Sequence, residues 1–80
     1  MADFKIGQQV TARNTIFSGS ANTRRSTRAV FIVNVGDTGH ITGVIGDEFY
    51  VNWDGNTYSK EPFELRHKTS DVEHGIISLD

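Results

Sequence analysis

The chain has 80 residues, no cysteine, one proline, eight glycines and a formal charge of −2 at neutral pH. That length holds one small domain and excludes a typical two-domain enzyme, a TIM barrel and a doubly wound nucleotide-binding fold. Without cysteine, disulfide frameworks, thiolate metal sites, iron–sulfur clusters and thiol nucleophiles drop out.

The apolar fraction of 36% is modest, yet too high, at so small a net charge, for wholesale disorder. The longest apolar run is Ala29 to Val33, far short of the roughly 20 residues of a membrane span. The opening MADFKIGQQV has no apolar h-region, so no secretory signal is read there. A soluble, cytoplasmic protein with no membrane association is expected. The charge is unevenly spread. Residues 1–40 carry five basic against two acidic side chains, and residues 41–80 three basic against eight acidic. The small total therefore conceals a basic front half and an acidic rear half, two candidate surfaces with opposite preferences in partners.

In chain order the pattern favours strands. Val10 to Arg13 is a short β candidate, rich in residues that suit a pleated surface. Residues 14–28 begin with Ile16 and Phe17 and continue as SGSANTRRSTR. Such a stretch is polar and basic, and reads as a long, flexible arm loop. Ala29 to Val35 is the next strand candidate, followed by the glycine turn Gly36-Asp37-Thr38-Gly39. His40 to Ile45 and the segment around Phe49, Val51 and Trp53 are joined by Gly46-Asp47. In the latter, apolar residues alternate with Tyr50 and Asn52 as in a strand with one buried face. Asp54-Gly55 followed by Thr57-Tyr58 reads as a hairpin turn that brings Tyr58 near Tyr50. Pro62 to Leu65 leads into the last strand. The acidic tail, residues 69–80, holds Ser70-Asp71-Val72-Glu73 with Gly75 close behind. It is expected to fray, because the glycine follows before a helix can develop.

These signals define an all-β domain over residues 1–68. Closing its sheet into a barrel would remove exposed edges and direct every inner face into one core. The expected core is Val10, Ala12, Phe17, Val30, Ile32, Ile41, Val44, Phe49, Val51, Trp53, Phe63 and Leu65.

The order Gly7 with Val10, a long loop, Gly36-x-x-Gly39, VNWDG and EPFEL resembles the SH3-like small-barrel superfamily, across roughly Lys5 to Lys68. The resemblance implies a single five-stranded barrel. It also implies a long arm loop after the first strand and a short 3-10 turn before the last, where Pro62 suits the first position. Members similar in loop layout include a small photosystem I subunit, the variable chain of ferredoxin–thioredoxin reductase, a nitrogen-fixation accessory family and KOW-type domains. The first two imply docking of an acidic electron carrier on a basic barrel face, and the last implies RNA. Fold analogy alone licenses no function.

Several chemistries can be weighed against the residues. Gly36-Asp37-Thr38-Gly39 leads into a strand rather than a helix N-terminus and has no lysine placed for a phosphate, so it is read as turn geometry. His40, His67 and His74 show no H-x-x-x-H or H-E-x-x-H spacing and are read as surface histidines in loops. No nucleophile elbow is present, and so small a barrel offers no deep pocket. No catalytic residue, cofactor or metal is assigned, and the protein is read as a non-enzyme. Arg13, Arg24, Arg25 and Arg28 are all arginine rather than lysine, and a guanidinium grips carboxylate or phosphate in bidentate fashion. Arg24-Arg25-Ser26-Thr27 also looks like a basophilic kinase site, where a phosphate would cancel the patch. Tyr50 and Tyr58 form a second candidate surface.

The expectation is a small accessory or adaptor protein, monomeric or weakly oligomeric. It binds an acidic protein partner through Arg13, Arg24, Arg25 and Arg28, with Tyr50 and Tyr58 as a secondary surface. The alternative is an RNA- or DNA-binding barrel of the KOW type, which a pI near 5.8 disfavours.

Overall fold

A computed structural model describes residues 4–19, 30–59 and 61–80 of the chain. Among them lie β1 (Gln9–Ala12), β2 (Ile16–Gly19), β3 (Val30–Val33), β4 (Thr38–Ile45), β5 (Glu48–Gly55), β6 (Glu64–Lys68), α1 (Thr69–Glu73) and β7 (Ile77–Leu79). Among the described residues the domain is all-β apart from one short helix. Five strands form one antiparallel sheet in the order β6-β5-β4-β1-β7, and β2 and β3 form a separate two-stranded sheet.

The sheet is curled but not closed, which corrects the expected barrel. Its two edge strands, β6 and β7, do not pair with each other. α1 runs between them instead: Thr69 N–H donates to Asp47 O at 2.8 Å at one end, and Arg13 N–H donates to Ile76 O at 2.8 Å beyond the other. The curl itself has a local cause. The β4–β5 register shifts between Thr38 and His40 and again between Ile41 and Gly43. Such bulges bend the strand and sharpen its twist.

Burial follows the alternation of the strands. In β5, Phe49, Val51 and Trp53 are buried, while in β6 Leu65 and His67 are. Val10, Ala12, Val33, Ile41 and Ile77 complete the buried core, with Phe4, Ile16, Phe63, Val72, Ile76 and Leu79 packed against it. The Phe4 ring stacks on Phe49 with centroids 4.9 Å apart, and Gly7 N–H donates to Ile41 O at 2.7 Å, tying the chain's start to β4. Gly39 lies where two backbones nearly touch. A Cβ there would sit 2.7 Å from both Asn52 O and Val51 Cγ1, closer than real Cβ atoms approach a neighbour.

Four further expectations need correction. First, the arm does not begin as a loop: Ile16–Gly19 pairs with Val30–Val33 in the register Ile16↔Val33, Phe17↔Ile32. That register puts Ile16 and Val33 toward the core and leaves Phe17 70% exposed. The apolar run Ala29 to Val33 has no alternation to reveal its inner face, which is why Phe17 and Ile32 stood in the expected core and Val33 did not. Val44 is also partly exposed, at the sheet's end, and the side chain of Val30 lies outside the described residues. Second, Asp54-Gly55 is no hairpin turn. β5 continues through it, with Gly55 opposite Thr38, because a Cβ-less residue fits against Thr38 Oγ1. The connection to β6 is the 56–63 segment. Third, Glu64 and Leu65 already belong to β6, and residues 61–63 contain no 3-10 turn. Fourth, the tail is docked rather than frayed. Val10↔Leu79 and Ala12↔Ile77 pair across β1 and β7, and Ile77 is 1% exposed. Three apolar residues in the last five, Ile76, Ile77 and Leu79, supply the burial that offsets ordering the chain end.

Candidate interaction surface

The β2–β3 ribbon stands apart from the five-stranded sheet in its hydrogen bonding. Its inner face is anchored through Ile16 and Val33, while Phe17 and Ile32 pair on the other face. The residues joining the two strands include Arg24, Arg25 and Arg28, which lie outside the described residues. Arg13, the fourth predicted arginine, is exposed between β1 and β2, so it sits at the base of the ribbon with its backbone held by Ile76 O.

A buried carboxylate fixes that base. Asp37, 2% exposed, accepts from Asn34 N–H at 2.9 Å and from Thr57 N–H at 3.1 Å, both on Oδ2. Asn34 Nδ2 donates in turn to Thr57 Oγ1 at 2.8 Å. The turn that ends β3 is thereby joined to the 56–63 connection, and Ala12 N–H donates to Asp37 O at 2.9 Å to bring in β1. Asn56 closes the same connection on itself. Its Nδ2 donates to Trp53 O at 2.6 Å, and its Oδ1 accepts from Ser59 N–H at 2.7 Å. Sequence reasoning missed Asp37 as an anchor, having treated it only as part of a glycine turn. The available signal was the Asn34-x-x-Asp37 spacing, since short polar side chains bond their own turn backbone.

Tyr58 is not a cross-strand partner of Tyr50. Tyr50 lies on the outer face of β5, opposite Gly43 of β4 and Arg66 of β6. A Cβ on Gly43 would stand 3.6 Å from Tyr50 Cδ1, so the ring lies beside the bare glycine. Tyr58 is 46% exposed in the 56–63 connection, its ring edge-on to Phe63 with centroids 6.2 Å apart. Because β5 runs straight past Asp54-Gly55, the chain never folds Tyr58 back across Tyr50.

Around Tyr50 the outer face of β4, β5 and β6 carries paired polar groups. His40 Nδ1 lies 3.1 Å from Asp54 Oδ2, Arg66 Nε 3.7 Å from Glu48 Oε1, and the Thr42 hydroxyl donates to Glu64. Exposed pairs of this kind contribute about 0–1 kcal/mol each. The carboxylates Glu48, Asp54 and Glu64 make the face unfavourable to a phosphate backbone.

The histidines divide by environment. His40 belongs to β4 and His74 is exposed just past α1. His67, expected in a surface loop, is buried in β6. Its Nε2 accepts from Trp53 Nε1–H at 3.1 Å, so the ring proton is assigned to Nδ1. Burial pushes its pKa down to about 4, against a smaller upward pull from Asp71. Among the described residues, no three His, Asp or Glu side chains converge as a metal-holding group.

The chain is thus a small, mostly β domain built on a curled half-barrel sheet with a two-stranded side ribbon. No protein-family model, curated protein or solved structure matches it. Among the described residues, no helix is long and apolar enough to cross a membrane.

Proposed function

We propose that this domain is a non-enzymatic accessory or adaptor protein of the SH3-like small-barrel kind, binding an acidic protein partner through its β2–β3 arm. The observation that carries this reading is the ribbon itself. Among the described residues it pairs only within its own two strands, it leaves Phe17 exposed, and the sequence between the strands holds three arginines. An apolar contact beside guanidinium groups is the pairing that recognises a protein carboxylate surface, with arginine supplying bidentate bonds. Arg13 extends the basic character to the ribbon's base.

The test is capture from a native lysate by wild type and by the Arg24→Ala/Arg25→Ala/Arg28→Ala triple variant, each repeated after nuclease treatment. The proposal expects at least one acidic protein retained by wild type, resistant to nuclease, and lost by the variant. Identical partners for both proteins would overturn it. Direct oligonucleotide binding that falls steeply with salt would replace it by the nucleic-acid reading.

A further inference from the structure

The side ribbon continues the register of the main sheet. Thr11 stands opposite Thr38 and Ile16 opposite Val33. Between those pairs the chain advances as far in one strand as it retreats in the other, so β4 and then β3 flank the same side of β1 and β2. The other side of β1 is filled by β7, which ends where Arg13 N–H donates to Ile76 O at 2.8 Å. Beyond Arg13 that edge runs on along β2, and among the described residues no strand pairs with it there.

Unpaired N–H and C=O groups on a sheet edge invite another chain, and natural edges are blunted by charge, proline, bulges, shortness or cover. β6 carries exposed Glu64, Arg66 and Lys68. β7 has only three residues. The edge of β3 is obstructed at its base, where Asn34 Nδ2 donates to Thr57 Oγ1 at 2.8 Å, and Glu61 lies exposed in the same connection. β2 has none of these devices. Ile16–Gly19 contains no charge and no proline, its pairing with β3 shows no register shift, and Phe17 is exposed on it.

Charge indicates what fills the edge. Arg13 lies at the base of β2, exposed and without an ion-pair partner among the described residues. A second copy would set the same arginines against one another, whereas an acidic segment meets them with opposite charge.

We propose that the acidic partner of the arm binds as an added β-strand on the free edge of β2. Its backbone bonds that of Ile16–Gly19, its apolar side chains lie beside Phe17, and a carboxylate at its end reaches Arg13. This rests on the acidic-partner reading and specifies its mode: backbone bonds supply affinity, and alternate side chains supply selection. In β1, Ala12 N–H turns inward to Asp37 O and Arg13 N–H outward to Ile76 O. The same alternation carried into β2 turns Phe17 N–H toward the added strand.

The probe is a nine-residue peptide, acetyl-EDVTVTVDE-amide, titrated into the full chain. Two controls accompany it: a form N-methylated throughout its VTVTV core, which keeps every side chain but has no core N–H to donate, and the charge-reversed KKVTVTVKK. Each control should bind at least about tenfold more weakly than the parent. In the parent complex the Phe17 amide should exchange at least about tenfold more slowly than in the free protein, with the β6 amides unchanged. Equal binding by the parent and the N-methylated form overturns strand addition; if the charge-reversed peptide still binds weakly, the acidic-partner reading survives that failure. No binding by the parent, or protection at β3 or β6 instead of β2, also overturns the proposal, and lysate capture then decides the partner reading separately. A dimer of the free protein with protected β2 amides would assign the edge to a second copy and overturn it as well.

Discussion

Replacing Ile77 by alanine isolates the contribution of the docked tail. Ile77 lies in β7 opposite Ala12 and is 1% exposed. The substitution removes three carbons from a closed core, about 2–3 kcal/mol of transfer free energy at roughly 0.8 kcal/mol per methylene. The cavity left behind raises the loss to about 3–4 kcal/mol, within the range for buried isoleucine truncation. A domain of this length holds roughly 4–12 kcal/mol in total, so the change consumes a large part of its stability. Guanidinium unfolding followed by Trp53 fluorescence measures it. At a slope of about 2 kcal/mol/M, the midpoint should fall by about 1.5–2 M with the slope unchanged. A drop worth less than about 1 kcal/mol would refute the reasoning, because a frayed tail would lose almost nothing.

Other substitutions probe the remaining joints. Gly39→Ala forces a Cβ against Asn52 O and Val51 Cγ1, and should cost about 1–3 kcal/mol. Gly43→Ala meets Tyr50 Cδ1 only at ordinary contact distance, and should leave Tm within a few degrees of wild type. Asp37→Ala strips the acceptor from the Asn34 and Thr57 amides. It should cost about 1–3 kcal/mol and accelerate amide exchange at both positions. Global stability should also depend on His67. Its folded pKa is lowered to about 4 from 6.5, so the unfolded chain takes up the proton first as pH falls. The stability is present above pH 6.5 and declines through pH 4, by about 3 kcal/mol at 1.36 kcal/mol per unit. Denaturation curves across that window, compared with His67→Gln, should differ by this amount, and parallel curves would rule the histidine out.

The parts of the fold that sequence reasoning reached are those with a local signature. β5 was legible because Phe49, Val51 and Trp53 alternate with polar residues, and the β4–β5 turn because Gly46-Asp47 sits between two strand runs. Gly46 does adopt a φ of 59°. The errors came where the deciding partner is distant in sequence. Asp54-Gly55 carries a turn composition, yet Thr38 holds Gly55 in the strand. The tail looked isolated until β1 supplied its pairing partner from the other end of the chain. Phe17 and Ile16 differ only by phase, and the phase is set by Val33 across the ribbon. His67 could have been placed by the alternation of Glu64-Leu65-Arg66-His67-Lys68, which puts it on the face of Leu65. Its indole partner in β5 is a tertiary fact with no sequence signal. Of the candidate surface, Arg13 and the arm are singled out by charge in the sequence alone and remain part of the proposal, whereas the expected approach of Tyr58 to Tyr50 rested on a hairpin at Asp54-Gly55 that does not form.

The most direct measurement of the central claim pairs binding with stability in the triple arginine variant, using a partner captured by wild type and then purified. Replacing Arg24, Arg25 and Arg28 by alanine should weaken that partner's affinity at least about tenfold, a loss of roughly 1.4 kcal/mol or more, while Tm stays within about two degrees of wild type. An unchanged affinity would contradict the arm as the binding element, and a collapse in Tm would make the arginines part of the fold instead.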